Sequence, residues 1–370
     1  MRICHVSPTY PRELNTGSGS VAYQLSKYGQ GKILFITKRR AGKPLRPEPG
    51  VVLKEISYPE FRLPAKLNFL IKVVCGSCKV VGYLIFLIRS VSYMVKFKPQ
   101  IVHIHTPIPI LHGIFGKVFL RAKLALTLYG TDFLRLKSER LLQRCIRRSV
   151  DTIFFVSKAM LEDLKQMSPG KHLVYTPIGV DTNKFYDQKR QRKKQLVAVG
   201  MLKWQKGYEY LLQAVKGVFS GHPEYKLVII GHGPLGVNIE EMAKNFMIAD
   251  RVELLKRLTQ EQVATTLNES SIFVMSSVTE GFPRALIEAI ACGTPVVATD
   301  VGSCREIVDE VGFIVKPRDP REFADAVNRL IENGELRAEF SRNCQEVAKR
   351  YDWKRTSEIV ENEYRRLISG

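Results

Sequence analysis

The sequence predicts an α/β protein made of two doubly wound domains. Three observations predict it. A chain of 370 residues suits two domains of ordinary size. Short apolar runs of strand length alternate with helical patterns along the whole chain, which implies parallel sheets joined by right-handed crossovers. The pattern also starts afresh midway. Ile3–Val6 reads as a first strand followed by a Gly-bearing loop and a helix, and Leu196–Gly200 reads as a second first strand followed by another.

In the first half, residues 7–20 form a long loop carrying Pro8, Pro11, Gly17 and Gly19, and a helix begins at Val21. A strand, a Gly-bearing loop and a helix start together can cradle phosphate, because backbone amides project from the helix N-terminus. Gly17-Ser-Gly-Ser20 lacks the full G-x-G-x-x-G, so this signal is incomplete. Ile33–Thr37 and Val51–Ile56 are the next strands, with a basic loop cluster at Lys38, Arg39, Arg40 and Lys43. Residues 63–97 read as a long helix or a helix pair, apolar, punctuated by Lys66, Lys72, Lys79, Arg89 and Lys96, and free of acid. That pattern fits a basic amphipathic surface at a membrane interface. It equally fits helices packed on the sheet with snorkelling lysines. Cys75 and Cys78 form a lone C-x-x-C without a second ligand pair and read as small apolar residues.

Ile101–His105 is a strand whose two histidines share one face. A His at the C-terminal end of such a strand stands over the crevice of an open sheet. An H-x-H pair alone lacks the further ligands of a metal site. Ala125–Asp132 is a strand and loop ending in Tyr129 and Asp132, and Asp132 also reads as a helix cap. Leu141–Val150 is a basic helix and Thr152–Ser157 a strand.

The polar, aperiodic run 187–195 is the expected linker, dividing the chain into domains at 1–185 and 186–354. Beyond it come Met201–Gly207 and a helix, then Tyr225–Ile230 with a turn holding Gly231 and Gly233. Ser271–Ser277 is the strand that delivers Glu280. Val296–Asp300 and Gly312–Val315 are the last strands, and residues 335–370 are helical.

Charge is distributed unevenly. Residues 1–180 hold 29 Lys and Arg against 9 Asp and Glu; residues 181–370 hold 28 against 27. Nearly all of the net +21 therefore lies in the first half, a field that attracts phosphates, acidic lipid surfaces or nucleic acid. Seven scattered Cys, with no short-spaced framework, argue against a disulfide scaffold and for a reducing compartment. No signal peptide is expected, and no uncharged apolar run reaches the ~18 residues needed to span a bilayer.

The most informative stretch is Glu280-Gly-Phe-Pro-Arg-Ala-Leu-Ile-Glu-Ala-Ile-Ala-Cys-Gly-Thr-Pro-Val-Val297. Gly281 and Pro283 mark a turn, Ala285–Ala291 a helix, and Gly293 and Pro295 its stop. Glu280 then precedes a helix N-terminus, a ready anion site, and Glu288 lies inside the helix. This text resembles the signature E-G-F-x-x-x-x-x-E-A-x-A-x-G-x-P-V-V of retaining glycosyltransferases of the GT-B fold, glycosyltransferase family 4. The likeness covers the whole chain, strongest over 196–315 and looser over 60–150.

The resemblance implies two Rossmann-like domains facing a central cleft, with residues 355–370 returning to the N-terminal domain. It implies transfer of a sugar from a UDP- or GDP-linked donor to an acceptor hydroxyl with retained configuration, without a metal or other cofactor. By the same resemblance Glu288 holds ribose hydroxyls. Glu280 and the backbone of Gly281, Phe282, Pro283, Arg284 and Ala285 hold the sugar. Lys206 and the Gly17–Gly19 loop neutralise the diphosphate, and Gly231 and Gly233 face the nucleotide. His105 is the candidate to orient an acceptor or donor hydroxyl, and Asp132 to contact the acceptor or loop backbone. The chain departs from the pattern at Met201, where the family has Arg; at Tyr129, where many members have His; at Gln100, where it has an acid; and at Ile178, where it has Asn. Lys203 or Arg284 is the candidate to replace the missing cation. The basic half points to an anionic acceptor, lipid-linked or a glycan precursor, at the inner face of a membrane. A soluble acceptor, an epimerase or phosphorylase reaction, and a degenerate nucleotide-sugar binder are the competing readings. No stacking aromatic array points to nucleic acid.

Overall fold

Strands that are apolar on both faces pair in parallel beneath covering helices, and both sheets of this protein are of that kind. The computed structural model describes residues 1–7, 18–39, 47–57 and 69–370; the side chains at 18, 69–79, 131, 134 and 135 lie outside the description. The chain divides into two compact units, residues 1–156, 160–176 and 356–370, and residues 157–159 and 177–355.

The first unit runs β1 (Arg2–Ser7), α1 (Ser18–Tyr28), β2 (Lys32–Lys38), β3 (Val51–Ile56), α2 (Phe69–Phe97), β4 (Ile101–His105), α3 (Ile110–Leu120), β5 (Lys123–Leu128), α4 (Gly130–Ser138), α5 (Arg140–Ser149), β6 (Thr152–Phe155), α6 (Leu161–Met167) and β7 (His172–Tyr175). Its strands lie in the order β3-β2-β1-β4-β5-β6-β7, all parallel. Strand order reverses between β1 and β4, which opens a crevice at their C-terminal ends.

The second unit runs β8 (Lys193–Val199), α7 (Tyr208–Gly221), β9 (Lys226–Ile230), α8 (Gly236–Asn245), β10 (Val252–Leu255), α9 (Gln260–Glu269), β11 (Ser270–Met275), α10 (Arg284–Ala291), β12 (Val296–Thr299), α11 (Cys304–Val308), β13 (Gly312–Val315), α12 (Pro320–Glu332) and α13 (Gly334–Arg350). The order is β10-β9-β8-β11-β12-β13, again all parallel, with the reversal between β8 and β11. Local chemistry fixes several helix starts. Thr259 and Gln262 form a reciprocal capping box at α9, and Asp319 caps α12 just before Pro320. The final helix, α14 (Trp353–Ser369), belongs to the first unit from Thr356 onward.

Three features differ from the reading of the sequence. Helix α1 begins at Ser18 and not at Val21, so Gly19 lies in its first turn rather than in the loop. Residues 69–97 form one helix, the first of the two arrangements read from the sequence. Its segment Val80–Phe97 is long and apolar enough to cross a membrane by length and composition, because two charges are too few to break the apolar average. The crossing from first to second unit falls at Thr176–Pro177, ahead of the run 187–195 where the linker was expected.

That run is tethered, for a physical reason. The Arg192 guanidinium donates to Ser270 O at 2.7 Å, Thr294 Oγ1 at 3.0 Å, Cys292 O at 3.2 Å and Gly293 O at 2.7 Å. It thereby satisfies carbonyls orphaned at the ends of α9 and α10. Arg192→Ala is expected to destabilise the second unit by about 3 kcal/mol, read from urea unfolding. Arg192→Lys should recover less than half, since an ammonium cannot serve the same fork of acceptors.

Candidate functional site

The two loops at the second unit's strand reversal are laced together before any side chain with chemistry is considered. Val278 N–H donates to Gln205 O at 2.8 Å, and Ser276 Oγ donates to Lys206 O at 2.9 Å. The loop after β8 is thus fixed to the loop after β11. Lys206 Nζ forms an ion pair with Glu280 Oε1, and Ser277 Oγ donates to the same oxygen at 2.8 Å. Both charged side chains are largely covered, Lys206 at 20% exposure and Glu280 at 12%. Gly302, with φ 57°, passes so close to Glu280 that a Cβ would meet Glu280 O at 2.5 Å, so the loop needs a glycine there. Gly231 leaves no room for a Cβ against Gly200 O, and this lets the turn after β9 approach the loop after β8. Gly233 follows in the same turn, its backbone against Leu202.

Arg284 opens α10, and Glu288 lies one turn further in. Burial pushes the Glu288 carboxyl up to about 7, while the charges of Arg284 and Lys206 pull it down. Glu288 still keeps partial solvent access. Lys206, Glu280, Arg284 and Glu288 therefore belong to one electrostatic cluster, and Gly281, Phe282, Pro283 and Ala285 supply the backbone between them. Met201, in the place of the expected arginine, is exposed, as is Lys203. Two contributors escaped the sequence reading. Ser277 anchors Glu280, and the Tyr208 hydroxyl donates to Gly200 O at 3.3 Å. Burial, with Glu280 nearby, raises the Tyr208 phenol. No local pattern marks either residue, because the partners are brought by tertiary folding.

In the first unit, His105 ends β4 and is fully buried. Its Nε2 shares a proton with His5 Nδ1 at 2.9 Å, and its Nδ1 meets the Tyr129 hydroxyl at 3.1 Å. His103 meets Tyr364 through Nδ1 and Thr127 through Nε2. The three histidines offer nitrogens within 4.8 Å of one another, a spacing a metal ion could use. The rings of His103 and His105, however, are stacked at 4.3 Å and 24°, so their in-plane lone pairs do not converge. Both nitrogens of His103 are also engaged. His5 and His105 form a hydrogen-bonded chain that leads to Tyr129, and His103 is held beside them by Thr127 and Tyr364. Asp132 sits in the first turn of α4, where a carboxylate suits the positive end of the helix. Gly17 lies outside the described residues, and Cys75 and Cys78 have side chains outside them.

Comparison with known proteins accords with this geometry. The family profile of glycosyl transferases group 1 matches residues 180–347, and that of glycosyltransferase family 4 matches residues 20–184. An uncharacterised glycosyltransferase of Methanocaldococcus jannaschii is 29% identical over 280 residues, which is 72% of this chain and 76% of that protein. The phosphatidylinositol N-acetylglucosaminyltransferase gpi3 subunit of Schizosaccharomyces pombe is 28% identical over 176 residues, 47% of this chain and 38% of its own length. Among solved structures, Anabaena HepE in complex with UDP and glucose superposes with a TM-score of 0.75 at 16% identity, covering 99% of both chains. The fold is GT-B in type, two Rossmann-like parallel-sheet domains.

The buried histidines predict sensitivity to acid. Burial lowers His5 to about 3 and His112 to about 4, and it lowers His103 and His105 well below the usual imidazole value. These groups fold neutral, so their stability is intact above the unfolded value near 6.5 and is lost as pH falls below it. Each costs about 1.4 kcal/mol per pH unit over that range. Denaturant unfolding at pH 7.5 and at pH 5 should show the first unit much weaker at the lower pH, and His112→Phe should shallow the slope by one proton.

Proposed function

Because this chain belongs to the glycosyltransferases described by the group 1 and family 4 profiles, we propose that it moves a hexosyl group from a nucleoside-diphosphate sugar to an acceptor hydroxyl with retained anomeric configuration. The observation that carries the reading is the cluster of Lys206, Glu280, Arg284 and Glu288 at the β8–β11 reversal. Crevices at such reversals bind nucleotides in open α/β sheets. A leaving diphosphate needs preorganised positive charge, which Lys206 supplies. Its pairing with Glu280 sets its position. Arg284 takes the part of the arginine that Met201 replaces, since its charge already reaches Glu288 and Lys203 is turned to solvent. Glu288 accepts hydroxyls of the ribose, and the backbone around Phe282 and Ala285 holds the sugar.

In the reaction the bond from the anomeric carbon to phosphate oxygen breaks, and a bond from that carbon to the acceptor oxygen forms on the same face. The acceptor proton passes to the departing phosphate oxygen. Solved relatives of the same fold hold UDP, which supports UDP as the first donor base to test, with GDP next. His105, Tyr129 and Asp132 of the first unit are assigned to the acceptor. The hydrogen bond from the His5–His105 chain fixes the direction of the Tyr129 phenol. The acceptor is a lipid-linked or glycan-precursor molecule, and the protein works as a peripheral enzyme at the cytoplasmic face of a membrane. The charge of the first half and a relative acting on phosphatidylinositol support this.

Steady-state kinetics test the roles. Lys206→Ala should lower kcat by about 100- to 1,000-fold, the usual cost of losing one preorganised group at a developing charge. Arg284→Ala should lower it less, and adding Met201→Arg to that variant should restore part of the loss. Near-normal turnover in Lys206→Ala would remove the leaving-group assignment. Inverted product configuration by NMR would remove retention.

A further inference from the structure

The outer face of α2 and α3 is apolar. Val81, Leu84, Ile88 and Val95 are exposed on α2, and Leu111, Val118 and Phe119 on α3. Spacings of three, four and seven residues place them on common helix faces. Contiguous exposed apolar surface of this kind marks a contact with something. Where the C-terminal ends of the two helices meet, that face runs into a pocket of about 560 Å³. Val95 and Phe119 wall it on the apolar side, and Ile368 of α14 joins them. Arg2, Lys98, Arg121 and Lys123 line the rest, and no acidic residue does.

Four cations converging without an acid repel one another unless an anion joins them. Lys98 and Arg121 follow helix C-termini, where cations are favoured by the helix dipole. That accounts for two. Arg2 and Lys123 begin strands β1 and β5 and answer to no helix end. Arg2 Nε donates to Lys98 O at 2.7 Å, which draws its guanidinium into the pocket wall. None of the four is paired with a carboxylate among the described residues. The pocket lies at the N-terminal edge of the strands, the opposite end from His105 and Tyr129. It is separate from the acceptor residues.

We propose that this pocket binds the phosphate of an anionic phospholipid whose acyl chains lie along the exposed face of α2 and α3. The charge calls for an anion, and the apolar walls call for one attached to hydrocarbon. A free phosphate ester would gain nothing from Phe119 and Val95. A nucleic acid would need an extended basic track rather than one pocket ending in an apolar face. The exposed Arg144, Arg147 and Arg148 of α5, which packs on α3, extend the same field toward a negative surface. The inference rests on the membrane part of the proposed function and on none of the donor chemistry.

Vesicle flotation without donor or acceptor tests it, with phosphatidylcholine vesicles made with and without phosphatidylglycerol. Wild type should float only with the anionic vesicles. The triple variant Lys98→Gln, Arg121→Gln, Lys123→Gln should bind them about fivefold more weakly per cation removed, on the order of a hundredfold in all. Its thermal midpoint should match wild type, which separates lost binding from lost fold. Val95→Ser with Phe119→Ser should also reduce flotation. Equal flotation of the triple variant would overturn the pocket while leaving membrane binding in place. Absence of wild-type flotation would overturn both, with nucleotide-sugar binding unaffected. Displacement by soluble glycerol phosphate would make the pocket a site for free phosphate esters. Displacement by an oligonucleotide would make it a nucleic-acid contact. Either result rejects the lipid.

Discussion

The candidate site depends on one ion pair. Lys206 follows β8 and Glu280 follows β11, and their union closes the gap that strand reversal opens between those strands. Neither charge is fully buried, so the pair escapes the heavy desolvation cost of a deep salt bridge. Removing one partner would leave the other charge covered and unmatched, which is the expensive outcome. The bonds from the Val278 N–H and the Ser276 hydroxyl hold the two loops at the distance the pair needs. A diphosphate bound at this cluster would compete with Glu280 for Lys206, while the bonds from Val278 and Ser276 keep the two loops joined.

The first unit is organised by a different constraint, the burial of imidazoles. His5, His103 and His105 occupy the sheet interior where aliphatic residues are usual, and they remain there neutral because hydroxyls of Thr127, Tyr129 and Tyr364 satisfy His103 and His105, and His105 in turn bonds His5. Tyr364 comes from α14, so the end of the chain completes the interior of the unit that its beginning starts. Burial disfavours the charged imidazole and so favours a fixed chain of proton donors and acceptors. The rigidity of that chain is passed to the Tyr129 phenol at the strand end.

What could be read from the sequence follows from how local each signal is. The helix after Glu280 was legible because Gly281, Pro283, Gly293 and Pro295 punctuate it within a few residues. The parallel sheets were legible because β9, β11 and β12 are largely apolar on both faces. The start of α1 was misplaced because Gly19 reads as loop when taken alone. The tether at Arg192 was illegible for a different reason: its partners lie at positions 270 to 294, and a run of polar residues looks the same whether it is free or clamped. Ser277, Tyr208, His5 and Tyr364 belong to that class as well. Their roles exist only once distant segments meet.

The central claim is that the β8–β11 reversal binds a nucleoside diphosphate through Glu288 and its neighbours. Thermal unfolding of wild type and Glu288→Ala, each with UDP, GDP and ADP, tests it most directly. A ligand at ~100 times its dissociation constant adds about 2.7 kcal/mol of apparent stability. The account predicts that one of the three raises the midpoint of wild type and leaves the variant almost unmoved. Equal stabilisation of both proteins, or of neither by any of the three, would contradict it.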